Sequence, residues 1–382
     1  MTWSVYQHWD PLKVCVVGRS YPPEFYSWIT IPHVRSLFER IAIETEEDFQ
    51  NIIKKLQEFG VEVLRPDLPV DLLADGKYVP PPMTPRDYTV MVGDTFYTQY
   101  GNTEHQIKLF YNRVKDIHWP DCNNLEEFNN LPAYIQDECK NVHQIDQHVF
   151  NPTPYNKIVE HIKQHGNTVK TPDNYCGING AMISRLGKDL YFGTTAYNQD
   201  LTSYTQFINT EFADTRNHIV NTGGHSDGTY CPVCPGLIIS LQDVPTYKDT
   251  FPGWEVVYLP GQSWTAVQPF LNLKEKNKGK WWIPGFEHDQ EVINVVEQWL
   301  GHWTGYVEET VFDVNMLIID PKNVMVFNYN KQVFDALDRY GITPHIVPFR
   351  HRYFWDGGIH CVTSDLHREG TRQDYFPERK NV

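Results

Sequence analysis

The chain reads Gly60-Val61-Glu62-Val63-Leu64-Arg65-Pro66, and the same plan of glycine, short β-rich run and proline returns at 166–172, 253–260 and 341–348. Ahead of three of these glycines the apolar residues fall on one helical face: Phe49, Ile52, Ile53 and Leu56, then Ile158, Val159 and Ile162, then Val333, Phe334 and Leu337. Glycine tolerates the left-handed conformation that ends a helix, so each helix is expected to stop there and hand over to a strand. Between the helices lie strand-turn-strand candidates at 88–97, 181–192 and 315–327, turning at Gly93-Asp94, Gly187-Lys188-Asp189 and Asp320-Pro321-Lys322-Asn323. The spacing predicts at least four similar units. A hairpin plus one outward helix, repeated around an axis, predicts an α/β propeller whose central cleft is lined by loops from every unit. No linker rich in Gly, Ser or Pro interrupts the chain, so residues 1–382 are expected to form a single domain.

Composition narrows the function. With 41% hydrophobic, 14% aromatic and 21% charged residues in 382, the chain has ample material for a core. Its formal net charge of −15, with Lys and Arg scattered, repels phosphate backbones and argues against nucleic acid as a partner; a small cation suits that field better. No apolar run reaches the length of a membrane span, and the opening residues lack a basic and then apolar leader, so no membrane partner and a cytoplasmic location are expected. The seven cysteines, at 15, 122, 139, 176, 231, 234 and 361, are odd in number and without framework spacing, which suits a reducing compartment without disulfides.

Two stretches carry reactive side chains beside paired glycines: Gly357-Gly358-Ile359-His360-Cys361 and Gly223-Gly224-His225-Ser226-Asp227. Paired glycines allow sharp turns that present a short side chain at the floor of a cleft. A lone cysteine is more often an inert buried thiol, so Cys361 matters if a proton acceptor such as His225 serves it. Cys231 and Cys234, two residues apart, invite a zinc reading, but no second pair completes a tetrahedral set, and no metal is expected.

Taken in order, Trp9-Asp10-Pro11-Leu12 with Val16-Val17-Gly18-Arg19, Pro85-Arg86-Asp87, His225-Ser226-Asp227, Val314-Asn315-Met316-Leu317, Gly357-Gly358-Ile359-His360-Cys361 and Ser364–Gly370 resemble the L-arginine:glycine amidinotransferases. The resemblance runs from about residue 7 to residue 370. It implies the pentein fold, an α/β propeller of five ββαβ-type modules around a pseudo-fivefold axis. It also implies a homodimer, no cofactor, and a catalytic pair of Cys361 and His225. Asp87, Asp227, Asn179, Met182, Glu308 and Glu309 would surround the substrate.

The implied chemistry is physically coherent. A guanidinium, with a pKa above ~12, is always cationic in water, and its delocalised charge makes the central carbon a poor electrophile. Asp87 and Asp227 would fork its N–H groups and hold that carbon over the sulfur of Cys361. His225 would protonate the departing amine and later deprotonate an amine acceptor, so that the amidino group of arginine passes through Cys361 and ornithine is released.

The pattern departs from the family at two places. The position aligned with the aspartate that orients the histidine is Met182, whose thioether cannot accept a strong hydrogen bond from imidazole; Asn179 or Asp173 is the expected stand-in. Where the relatives carry a serine pair, Glu308-Glu309 aligns, which argues for an acceptor other than glycine. A hydrolase of the same superfamily, or a binding protein with impaired chemistry, remains an alternative to the transferase.

Overall fold

The computed structural model describes residues 2–69, 72–74, 77–98, 153–171, 178–194, 201–222, 225–241, 247–259, 283, 285–286, 288–300, 303 and 313–379. In the first unit, strand β1 (Leu12–Val17) is followed by helix α1 (Pro32–Glu58) and then β2 (Glu62–Leu64), which lies parallel to β1. Proline at the start of α1 lacks the N–H that has no partner there, which suits it to a first turn. Val34, Leu37, Phe38, Ile41, Phe49, Ile52 and Leu56 form its buried stripe, at the helical spacing read from the sequence.

A two-residue hairpin, β3 (Leu73–Ala74) with β4 (Lys77–Tyr78), precedes the second unit. There β5 (Thr89–Val92) and β6 (Thr95–Thr98) pair antiparallel, and β7 (Thr168–Lys170) returns parallel to β6 after the helix Asn156–Gln164. The third unit repeats this with β8 (Ile183–Leu186), β9 (Asp189–Thr194), helix Leu201–Glu211 and β10 (Arg216–Asn221). The fourth uses β11 (Tyr230–Cys234), β12 (Leu237–Ser240), helix Tyr247–Thr250 and β13 (Glu255–Tyr258). The fifth uses β14 (Leu317–Asp320), β15 (Asn323–Val326), helix Lys331–Arg339 and β16 (Thr343–Ile346). The last strand, β17 (Thr363–Arg368), runs antiparallel to β1 and supplies the strand that the first unit lacks, with Cys15 opposite Asp365. Five three-stranded sheets of one plan result.

The four helix-stop glycines, Gly60, Gly166, Gly253 and Gly341, take φ of 72, 80, 78 and 67°. The near-equal intervals between the last three conceal unequal contents. From Gly166 to Gly253 the chain completes the third unit and most of the fourth, whereas from Gly253 to Gly341 it traverses the fifth together with an insertion carrying helix Gln290–Trp299. The third unit escaped the repeat because its helix ends without glycine; the chain reverses through Phe212 to Thr215, whose N–H donates to the Phe212 carbonyl at 3.1 Å. Among the described residues no helix is long and apolar enough to cross a membrane.

Candidate functional site

Each unit sends one loop toward the same place. Arg86, just before Asp87, turns inward and donates from Nε to the carbonyls of His360 and Thr363 at 2.7 and 2.9 Å, tying the second unit to the turn that bears Cys361. The Asn179–Met182 loop of the third unit buttresses the fourth: Ser226 and Asp227 donate their N–H groups to the Ala181 carbonyl at 2.8 and 3.2 Å, and Ser226 Oγ donates to the Met182 carbonyl at 3.0 Å. Asn315, from the loop that opens the fifth unit, lies between the two reactive turns. Its Oδ1 accepts the N–H of His360 at 2.8 Å and of Cys361 at 3.3 Å, which assigns Nδ2 to the other side, where it donates to the Asp227 carbonyl at 3.2 Å and to Cys361 Sγ at 3.0 Å. Gly358 is required for this approach, because a Cβ there would stand 2.2 Å from Asn315 Oδ1. The turn itself leaves helix Arg352–Trp355 through Asp356 in the left-handed conformation, φ 49°, ψ 48°.

At the centre, Cys361 Sγ–H donates to Asp227 Oδ2 at 3.6 Å, and His360 Nδ1 lies 2.8 Å from the same oxygen. His225 stands two residues before Asp227, at the entrance to the same 3-10 turn, and its Nδ1 faces Asp87 Oδ1 at 3.8 Å. His225 and Asp87 are partly exposed while Asp227 and Cys361 are buried. The other described cysteines are differently placed. Burial pushes the thiols of Cys15 and Cys231 up to about 12 and that of Cys234 up to about 11, which leaves them protonated and unreactive.

Beneath the site lies a buried ionic hub. Asp365 accepts two bonds from Arg185 Nη2 at 2.8 and 2.9 Å and one from Arg368 Nε at 2.7 Å, and Arg86 Nη1 stands 3.0 Å away. Burial opposes ionisation of Asp365, but Arg185, Arg86 and Arg368 outweigh it and hold the carboxyl well below the usual range. Burial pulls Arg185 down to about 10. Among the described residues one carboxylate thus faces three guanidinium groups, a positive surplus below the Cys361 turn. His8 completes this layer: its Nε2 accepts the Arg185 N–H at 3.0 Å, and burial, then Arg185, lower it well below the ordinary imidazole value.

The structure sets Asp227 against Cys361 and Asp87 against His225, with His225 and Asp227 two residues apart at one turn. Asn179 Oδ1 accepts the Met182 N–H at 3.0 Å, closing its own loop, and Met182 belongs to a buried apolar cluster that includes Val90, Val92, Tyr97 and Ile178. Among the described residues, Asp87 sets a carboxylate beside His225. Asp173, Glu308, Glu309 and the glycines at 223 and 224 lie outside the described residues. Cys231 and Cys234 are free, buried thiols in β11. Trp355 is a structural anchor, stacked on Trp303 and donating from Nε1 to Thr45 Oγ1 at 2.8 Å. Asn315, His360, Arg86 and Asp365 were missed as partners in the site, although each sits inside a motif quoted above; nothing in a linear motif says which member faces which.

Comparison with known proteins finds no matching family model. The chain is 24% identical over 408 residues to the mitochondrial glycine amidinotransferase of Gallus gallus, covering 97% of this chain and 84% of that one. It is 22% identical over 153 residues, 40% of its length and 33% of the other's, to an L-arginine:L-lysine amidinotransferase of Pseudomonas savastanoi pv. phaseolicola. In structure it resembles SxtG, an amidinotransferase of the saxitoxin biosynthetic pathway from Microseira wollei, with TM-score 0.61, 16% identity and coverage of 98% and 100%. It also resembles the inosamine-phosphate amidinotransferase StrB1 of Streptomyces griseus, with TM-score 0.59, 16% identity and coverage of 98% and 99%. The chain is a relative of the amidinotransferases and shares their pentein architecture.

Proposed function

We propose that this relative of the amidinotransferases is an enzyme that moves the amidino group of L-arginine to an amine acceptor through a covalent adduct on Cys361. The observation that carries the reading is the contact of a thiol with a carboxylate, Asp227 Oδ2 standing 3.6 Å from Cys361 Sγ, on a turn that His225 opens. Asp227 and Asp87 would grip the guanidinium from opposite sides and set its carbon above the sulfur. With the site empty, Asp227 disfavours charge on the sulfur; an arriving cation neutralises that carboxylate and the thiolate becomes affordable.

In the first half-reaction the thiolate attacks the guanidinium carbon, the bond from that carbon to the side-chain nitrogen of arginine breaks, and protonated His225 supplies the proton that the leaving amine needs. Ornithine departs. In the second, the acceptor amine attacks the amidino carbon, gives its proton to His225, and the C–S bond breaks to restore the thiolate. Asp87, 3.8 Å from His225 Nδ1, would support the charged imidazole between the two halves. The pairing of β17 with β1, together with loops of all five units around Asp365 and Cys361, supports a closed five-unit propeller in one domain.

Intact-protein mass spectrometry after mixing with arginine tests the reading. An amidino adduct is expected on the wild type and none on Cys361→Ala, with ornithine turning over only when an amine is supplied. Citrulline and ammonia from arginine alone would instead establish a hydrolase. No adduct and no product would leave a binding protein, the outcome that Met182 in place of an acidic residue favours.

A further inference from the structure

The proposed chemistry does not use His360, although it is buried beside the nucleophile and touches the carboxylate that the substrate must meet. We propose that His360 is a positioning residue acting through Asp227: as a neutral imidazole it donates Nδ1–H to Oδ2, and so holds that carboxylate charged and aimed at a cation bound over Cys361. This rests on the reading of the site as a guanidino-group site.

The geometry carries the inference. At 2.8 Å from an ionised carboxylate, which can only accept, Nδ1 must be the protonated nitrogen. The residue is pinned on both sides, its N–H donating to Asn315 Oδ1 at 2.8 Å and its carbonyl accepting from Arg86 Nε at 2.7 Å, so the ring has little freedom to leave. Burial, then Arg86 and His8, press the imidazole well below its ordinary value and keep it uncharged. That neutrality matters, because an imidazolium would cancel the charge on Asp227 and make the floor less welcoming to a cation. A neutral donor fixes the carboxylate and leaves its charge for the ligand.

Behind the pair is a cavity of about 20 Å³, lined by His8, Ser184, Tyr230, Arg368, Asp227 and His360 and sized for about one water. Without the Nδ1–H, Asp227 is free to turn from the sulfur toward this space, where a guanidinium already stands. The sequence motif that announces the nucleophile therefore also carries the residue that aims its partner.

Two variants separate this role from space filling. His360→Asn places an amide N–H near the position of Nδ1, whereas His360→Phe keeps the ring and removes the donor. The KM for arginine is expected to rise by about 10- to 100-fold in His360→Phe, with a smaller change in kcat, and to stay within about threefold of wild type in His360→Asn. The opposite order, Phe tolerated and Asn not, would overturn the proposal. Should the Phe variant fail to fold, imidazole nitrogen NMR of the wild type decides: the signal missing from His360→Asn must report a neutral ring protonated at Nδ1 near neutral pH. A ring protonated at Nε2 alone, or charged, defeats the assignment. If wild type forms no amidino adduct, the transferase reading falls, while the NMR measurement still judges the pairing on its own.

Discussion

Asp365 and Asp227 are both buried aspartates close to the Cys361 turn, yet their surroundings differ in what supplies their hydrogen bonds. Asp365 is met by three arginines, so its charge is more than balanced within the protein. Asp227 is met by an imidazole and a thiol, and neither brings the guanidinium charge that Asp365 receives. Three guanidinium groups make a carboxylate part of the scaffold, whereas hydrogen bonds from uncharged groups do not cancel its charge.

The largest break in this contrast is Asp365→Ala, which leaves three buried guanidinium groups without their counter-ion; denaturant unfolding should show a loss of about 3–5 kcal/mol. A smaller effect, of another kind, is expected from Asp227→Asn. Affinity for arginine should fall by about 10- to 100-fold, read from KM or adduct formation, while the unfolding midpoint barely moves. An equal loss of stability in both variants would erase the distinction.

Acid titration of stability sharpens the comparison further. His8 and His360 are held below their ordinary value, so the unfolded chain takes up protons first, and stability should be complete above about pH 6.5 and decline beneath it. Asp365 is also depressed, so its contribution is present above about pH 4 and lost as pH falls further. In Asp365→Asn the limb below about pH 4 should flatten and the histidine limb persist, as unfolding at stepped pH will show. The smallest effect belongs to Met182→Leu. Its side chain only fills an apolar cluster, so the cost should stay under about 1.5 kcal/mol with turnover unchanged; a large loss of turnover would mean that the thioether takes part in the site.

The recurrent glycines, the helix faces and three of the hairpins were legible because helix and strand periodicity are local properties of the chain. The end of the third unit's helix was not, since Phe212 to Thr215 reverse the chain without glycine, and near-equal intervals between glycines hid one unit more in the first than in the second. In the site, the reactive residues were legible as residue types beside glycine pairs. Their partners were not: Asn315 reaches Cys361 across 46 positions, Asp227 meets His360 across 133, and Arg86 finds the His360 carbonyl across 274.

Read alone, the residues settle that the chain repeats a helix-and-hairpin unit, that its charge suits a cation, and which motifs it shares with the amidinotransferases. They do not settle which aspartate is held by guanidinium groups and which meets an imidazole and a thiol, because Asp227 and Asp365 are chemically identical until a neighbour is assigned. That assignment depends on how five units set their loops against one another, and a carboxylate's role follows from the donors within about 3 Å of it, whatever their distance along the chain.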